Sequence, residues 1–223
     1  MIMVTNSKRI TQHFHSTEFR CKCGCGKIYI DETLVNNLEK LFAKLNASKC
    51  IVSSGYRCSK HDKAVGGSGG GQHTKGRATD CVYYDKNGKI IPSKIVVCVA
   101  NDLGIFNGMA IINNNYSHLD TRTNGKYRGD ETIDYNSHWT DPYKYFNVSK
   151  EDVAKYTGEV EAKVYKTVAN CYWLNLRTSP MYGSNIYKAV KAGTKVEYLG
   201  IANGWSRIKY ENKTLYCGKN YLK

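Results

Sequence analysis

Long apolar runs are missing from this chain. Across its 223 residues no stretch approaches the ~18 consecutive apolar residues of a membrane helix, so no membrane insertion is expected. The opening MIMVTNSKRITQHF has no continuous apolar h-region, so no signal peptide is expected either. Without a secretory leader, nine cysteines do not read as a disulfide framework. Acidic charge is scarce too: 19 Asp and Glu stand against 33 Lys and Arg, a formal net charge of +14. That excess points to anionic partners. Residues 1–157 carry a net +7, and residues 158–223 another +7 in fewer than half as many positions. The basic residues are interspersed, which fits a charged folded surface and not a nucleic-acid tail, so no nucleic acid is expected. The 18 tyrosines and 41% hydrophobic content argue against disorder, and the length allows one large domain or two small ones.

The clearest helix is DETLVNNLEKLFAKLN. Leu34, Leu38, Leu41, Phe42 and Leu45 fall on one stripe, and Asp31 sits where an N-cap belongs. KCIVSSGYRC and RATDCVYYD read as strands, with DKNGK as a turn. SKIVVCVANDLG reads as a second helix, opened by Ser93 and closed at Gly104. FNGMAIINNNYSHLDTR reads as strand, Asn-rich turn and strand. The expectation is an α+β domain over residues 1–140, helices packed on a mostly antiparallel sheet. Residues 141–160 carry a Pro, many charges and little periodicity, and read as a linker, with a short helical turn in SKEDVAKY. Over 161–223 short strands alternate with turns every eight to twelve residues, the pattern of a small all-β barrel.

Two clusters carry chemistry. In CKCGCG the alternating Cys21, Cys23 and Cys25 offer thiolates to a soft metal, with Cys50 or Cys58 completing a set of four. The usual knuckle is C-x2-C, so the competing reading is a tight turn with reduced thiols. In GGQHTKGRATDC, His73 and Asp80 stand seven residues apart. A helix would separate them by about 10 Å along its axis, so shared metal binding requires His73 in a loop and Asp80 on the next strand, with Gly76 folding the chain back. A catalytic zinc needs a third protein ligand and an open position. His118 in YSHLDTR and His138 in NSHWTD both qualify, and spacing does not eliminate His13 or His15.

SSGYRC, GGQHTKGRATD and SHLDTR, in that order, resemble the zinc D-Ala-D-Ala carboxypeptidase family of bacterial cell-wall peptidases. Its phage-endolysin members often open with a stretch like His13 to Gly26. The resemblance covers about residues 10–128. It implies Zn2+ held by His73, Asp80 and His118, with Arg57 binding a substrate carboxylate or steadying the oxyanion. Two positions depart from the family: Gly71 replaces a Ser two residues before the first zinc His. Asn115 replaces the Glu that related zinc peptidases place three residues before the last one, and Asn cannot take a proton from water. Asp120 is then the remaining carboxylate for a general base. It could equally orient His118 or pair with Arg122. Tyr116, on the same strand face, is a candidate oxyanion donor.

The C-terminal LNLRTSP and NGWSRI resemble bacterial SH3-like domains of cell-wall hydrolases, over about residues 162–223. That implies binding to bacterial peptidoglycan, with teichoic acids a further anionic ligand. Tyr172, Trp173, Tyr182, Tyr187 and Trp205 are candidates to line a groove, and Trp205 also reads as barrel core. Together these features imply a phage-type endolysin, made in the cytoplasm of an infected bacterium and released to cut an amide bond of the peptidoglycan stem peptide. A non-lytic D-Ala-D-Ala carboxypeptidase and a catalytically silent, zinc-bearing wall binder are the alternatives.

Overall fold

The computed structural model describes residues 2–158 and 164–223. The chain divides into two compact units, 1–159 and 160–223. No described helix is long and apolar enough to cross a membrane.

The first unit is α+β. A two-residue strand β1 (Met3–Val4) pairs with β2 (Ile30–Asp31), which leads directly into α1 (Glu32–Lys44). Asp31 caps α1, its carboxylate accepting from the Thr33 N–H at 3.0 Å. The stripe of Leu34, Leu38, Leu41, Phe42 and Leu45 is buried. There follow β3 (Lys49–Ser54), α2 (Ser59–Ala64), β4 (Ala78–Tyr84), α3 (Ser93–Leu103), β5 (Gly108–Ile111), β6 (Ser117–Asp120) and β7 (Tyr127–Asp130). Gly104 ends α3 in the left-handed conformation at φ 64°. Pro92, not Ser93, is the N-cap of α3; the Ser93 hydroxyl instead donates to the Asn113 carbonyl at 2.6 Å.

The five strands form one sheet in the order β3-β4-β6-β5-β7, antiparallel except for the β5–β7 pair. Because successive side chains alternate between faces, its register decides where chemistry collects. Cys81, Tyr83, Met109, Ile111 and Leu119 share one hydrophobic core with α1 and α3. The register sets Ser54 opposite Asp80, Asp80 opposite His118, and Asp120 opposite both Ala78 and Gly108. The polar side chains of three strands therefore meet on the face turned away from that core.

Residues 141–158 are not a linker. Pro142–Tyr145 form α4 and Lys150–Thr157 form α5, both packed on α3. Local caps start them where periodicity is absent: Asp141 accepts from the Tyr143 and Lys144 amides, and Ser149 with Asp152 forms a capping box. Trp139, Val148 and Val153 are buried in the main core. Residues 159–163, where the expected linker ends and the first C-terminal strand begins, lie outside the described residues.

The second unit is all-β: β8 (Tyr165–Thr167), β9 (Trp173–Arg177), β10 (Ile186–Lys191), β11 (Lys195–Ala202), β12 (Trp205–Tyr210) and β13 (Lys213–Gly218). Asn203 and Gly204, both at positive φ, make the tight turn between β11 and β12. Strand order is β10-β9-β13-β12-β11-β8. No ladder joins the outer strands β10 and β8 among the described residues. Val168, Leu174, Leu176, Val190, Val196, Ile208, Leu215, Cys217 and Leu222 form its core.

Candidate active site and metal centre

Loop, strand and neighbouring strand deliver the three side chains of the polar face. His73 lies in the loop before β4, Asp80 within β4 and His118 within β6. Gly76 turns the loop back at φ 66° and gives its carbonyl to the Asp31 N–H at 2.8 Å. A side chain there would strike the Tyr29 carbonyl, so the turn needs glycine.

The donor atoms form a small triangle. His73 Nε2 lies 3.3 Å from both His118 Nδ1 and Asp80 Oδ1, and His118 Nδ1 lies 2.9 Å from the same oxygen. For bonds of about 2.0–2.1 Å, neighbouring ligands of a tetrahedral zinc stand about 3.3 Å apart. Two edges match that spacing and the third is slightly contracted. The other ring nitrogens fix the tautomers. His73 Nδ1 donates to the Gly55 carbonyl at 2.7 Å, and His118 Nε2 faces Asp120 Oδ2 at 3.1 Å. Each imidazole thus turns its remaining nitrogen toward the triangle, the arrangement of histidines that ligate metals. Two imidazoles and a carboxylate, all buried or nearly so, fit zinc in a site that leaves a fourth position open.

Without metal the cluster is strongly coupled. Burial alone would raise the Asp80 carboxyl, but hydrogen bonds from His118 and His73, reinforced by their charges, hold it far below the usual carboxylate range. Burial would lower His118; hydrogen bonds to Asp120 and Asp80 outweigh it and push the imidazole up to about 10. A metal held there would therefore displace a proton from His118.

Asp120 is not placed as a base. Its side chain is fully buried, and besides His118 it takes bonds from Arg122 Nε at 2.9 Å, Arg122 NH2 at 2.5 Å and the Arg122 N–H at 2.9 Å. Burial would raise this carboxyl, and the bonds from His118 and Arg122 hold it well below its ordinary value. A carboxylate so enclosed and so engaged is placed to orient His118. Gly108 makes room for it: a methyl there would collide with both carboxylate oxygens.

Arg57 spans the other side of the site. Its NH2 meets Asp80 Oδ2 at 2.6 Å, its Nε donates to Ser54 Oγ at 2.7 Å, and its NH1 lies 3.5 Å from Asp62 Oδ1. Asp62 is buried, and its Oδ2 accepts from the Gly69 N–H at 2.9 Å, tying the glycine-rich loop to Arg57. Sequence reasoning missed Asp62, because an acid in a short helix beside a glycine run carries no spacing signal. It also missed Tyr135. The charge of Glu131, then burial and the charge of Asp80, push this exposed phenol above its ordinary value.

Other candidates sit elsewhere. His138 pairs with Gly129 and packs edge-on against Tyr127. His13 bonds Glu39 at 2.6 Å and stacks on Phe42. His15 caps the helical turn Ser16–Phe19. Tyr116 closes the Asn-rich turn, its N–H on Asn113 Oδ1.

In the C-terminal unit, Trp205 is not part of the core. It packs edge-on against Tyr182 at 4.8 Å, with the Arg177 guanidinium over both rings at 5.9 and 5.6 Å. Tyr172, Trp173 and Tyr182 are exposed, while Tyr187 packs against the core.

The peptidase M15 family matches residues 12–120, a range holding the three convergent donors, Arg57 and Asp120. The bacterial SH3 domain family matches residues 174–223. Among curated proteins none matches. Residues 12–120 are thus a peptidase M15 domain and residues 174–223 a bacterial SH3 domain, the make-up of a cell-wall metallopeptidase with a binding module.

Proposed function

We propose that the chain is a phage-type endolysin. Its first domain hydrolyses an amide bond of the peptidoglycan stem peptide, L-Ala–D-Glu or a bond containing D-Ala, and its second holds it on the wall. It is made in the cytoplasm of an infected bacterium and released to reach its substrate. The observation that carries this reading is the convergence of His73 Nε2, Asp80 Oδ1 and His118 Nδ1 on one point, each with its orientation fixed from behind.

Zinc held by those three atoms would polarise a carbonyl and lower the pKa of a water in its open position to about 7. The chain's own residues do the rest. The Gly55 carbonyl and Asp120 hold the two imidazoles in the required tautomers. Arg57 fixes Asp80, so that Oδ2 stays on the guanidinium and Oδ1 faces the triangle. Its five N–H donors exceed the acceptors it meets in Ser54, Asp62 and Asp80, which leaves capacity for a substrate carboxylate or a developing oxyanion. With Asp120 enclosed, a general base for the attacking water would be another carboxylate. We assign Glu131, a half-buried carboxylate that accepts from Tyr127 Oη at 3.2 Å and whose charge, like that of Asp80, raises the Tyr135 phenol. The exposed aromatic residues and the +7 charge of residues 158–223 suit an anionic wall bearing teichoic acids.

The test is muropeptide analysis of walls treated with wild type and His73→Ala, beside zinc content and lysis of whole cells. New amino ends on D-Glu, or on the residue that follows a cut bond containing D-Ala, and lysis, both lost in the variant, are expected. Free D-Ala alone would make it a non-lytic carboxypeptidase. Zinc retained with no product would make it a silent wall binder.

A further inference from the structure

The CKCGCG segment lies outside this site, and its sulfurs are not scattered. Sγ atoms of Cys21, Cys23, Cys25 and Cys58 all lie within 4.8 Å of one another. Cys21 and Cys23 are 3.4 Å apart, and Cys23 and Cys58 are 3.7 Å apart. A disulfide needs about 2.05 Å, whereas four thiolates about 2.3 Å from a tetrahedral ion stand about 3.8 Å from one another. Alternate residues of an extended strand lie about 7 Å apart, too far for this. Gly24 and Gly26, at φ 83° and 71°, curl the chain so that successive sulfurs turn inward.

A backbone donor points at the same cluster: the Cys58 N–H lies 3.3 Å from Cys21 Sγ, a contact that favours a thiolate there. His61 Nδ1 adds a contact to Cys21 Sγ at 3.4 Å. Cys50, the other candidate for the fourth position, packs against the main core instead.

We propose that Cys21, Cys23, Cys25 and Cys58 hold a structural zinc ion, separate from the His73–Asp80–His118 centre. Four S–H bonds break, four Zn–S bonds form, and the protons pass to solvent with no change of oxidation state. Soft thiolates in a closed tetrahedron select zinc over calcium or magnesium. The site ties the N-terminal loop to Cys58, the residue after Arg57. It thereby holds the Gly55–Cys58 segment, whose carbonyl and guanidinium brace His73 and Asp80.

The experiment uses the full chain, purified under reducing conditions. Elemental analysis should give two zinc ions per wild-type chain, one in His73→Ala and one in Cys23→Ser. Cobalt(II) substitution should show thiolate-to-metal charge-transfer absorption in wild type and His73→Ala, absent from Cys23→Ser. The cobalt spectra of wild type and His73→Ala decide even where Cys23→Ser fails to fold. His73→Ala with no zinc and no such absorption would overturn the inference, as would iron in place of zinc or a disulfide found by mass in the reduced preparation. Loss of wall cleavage beside an intact cobalt–thiolate band would count against the proposed activity alone.

Discussion

Replacing Asp120 by Asn separates the two roles open to a carboxylate beside this site. The side chain is fully buried, 3.1 Å from His118 Nε2 and held through both oxygens by Arg122. Asn fills the same space beside Gly108 and can still accept from Arg122. Its amide nitrogen, however, brings a donor toward Nε2, so that nitrogen becomes an acceptor and the imidazole proton moves to Nδ1. Nδ1 is the atom that faces His73 and Asp80. Loss of such a partner weakens metal binding by about 10–100-fold, equivalent to about 1.4–2.7 kcal/mol. Loss of a general base would instead lower kcat by about 100–10,000-fold and leave metal affinity alone. Zinc competition against a chromophoric chelator, beside wall cleavage at saturating zinc, tells them apart. The expected result is a Kd for zinc raised 10–100-fold, with cleavage largely restored by excess metal. Unchanged zinc affinity with cleavage abolished at every zinc concentration would refute the assignment and return Asp120 to the role of base.

Other outcomes follow from the same geometry. Gly108→Ala puts a methyl into the space of the Asp120 carboxylate and should lower zinc affinity about as much as Asp120→Asn does; an unchanged Kd would show that the carboxylate can move without consequence. In the zinc-free chain His118 is raised to about 10, so it stays protonated at neutral pH and its stabilising contribution fades as pH climbs through that value. Apparent zinc affinity should therefore rise about tenfold per unit between about pH 6 and pH 8 from this residue alone, and a flat profile in the competition assay would contradict it. Glu131→Gln should keep zinc and lose cleavage, whereas undiminished turnover would remove Glu131 from the mechanism. Leu38→Ala, at a fully buried position of α1, should cost about 2–5 kcal/mol in chemical denaturation; a loss below about 1 kcal/mol would mean the helix packs elsewhere.

Much of the first domain was legible in its residues, because local signals and tertiary packing agree there. The leucine stripe of α1, its Asp31 cap and the glycine after α3 each carry a physical rule that survives folding. Residues 141–158 were not legible: Val148 and Val153 supply too few apolar positions for a period, and contacts with α3 make the helices worthwhile. The choice between His118 and His138 was equally hidden. It depends on β6 lying beside β4 in a register that sets His118 opposite Asp80, which no spacing along the chain encodes. Cys50 and Cys58 likewise look interchangeable in one dimension, yet one packs against the core and the other precedes α2. Closure of the C-terminal sheet could not be read from turn spacing, since the same turns serve open and closed sheets.

Within the four consecutive residues Gly55 to Cys58, three lean on the stretch before α1. The Gly55 Cα sits so near Phe19 that any β-carbon would come within 2.5 Å of that residue's Cα. The Tyr56 N–H reaches the Phe19 carbonyl at 2.9 Å, and the Cys58 N–H reaches Cys21. The stretch before α1 thus acts as a buttress for a reaction centre to which it lends no donor atom. Chimaeras assembled from interchangeable peptidase and binding modules should keep that stretch with its own partner, because a splice made at α1 would preserve His73, Asp80 and His118 and still leave the centre unsupported.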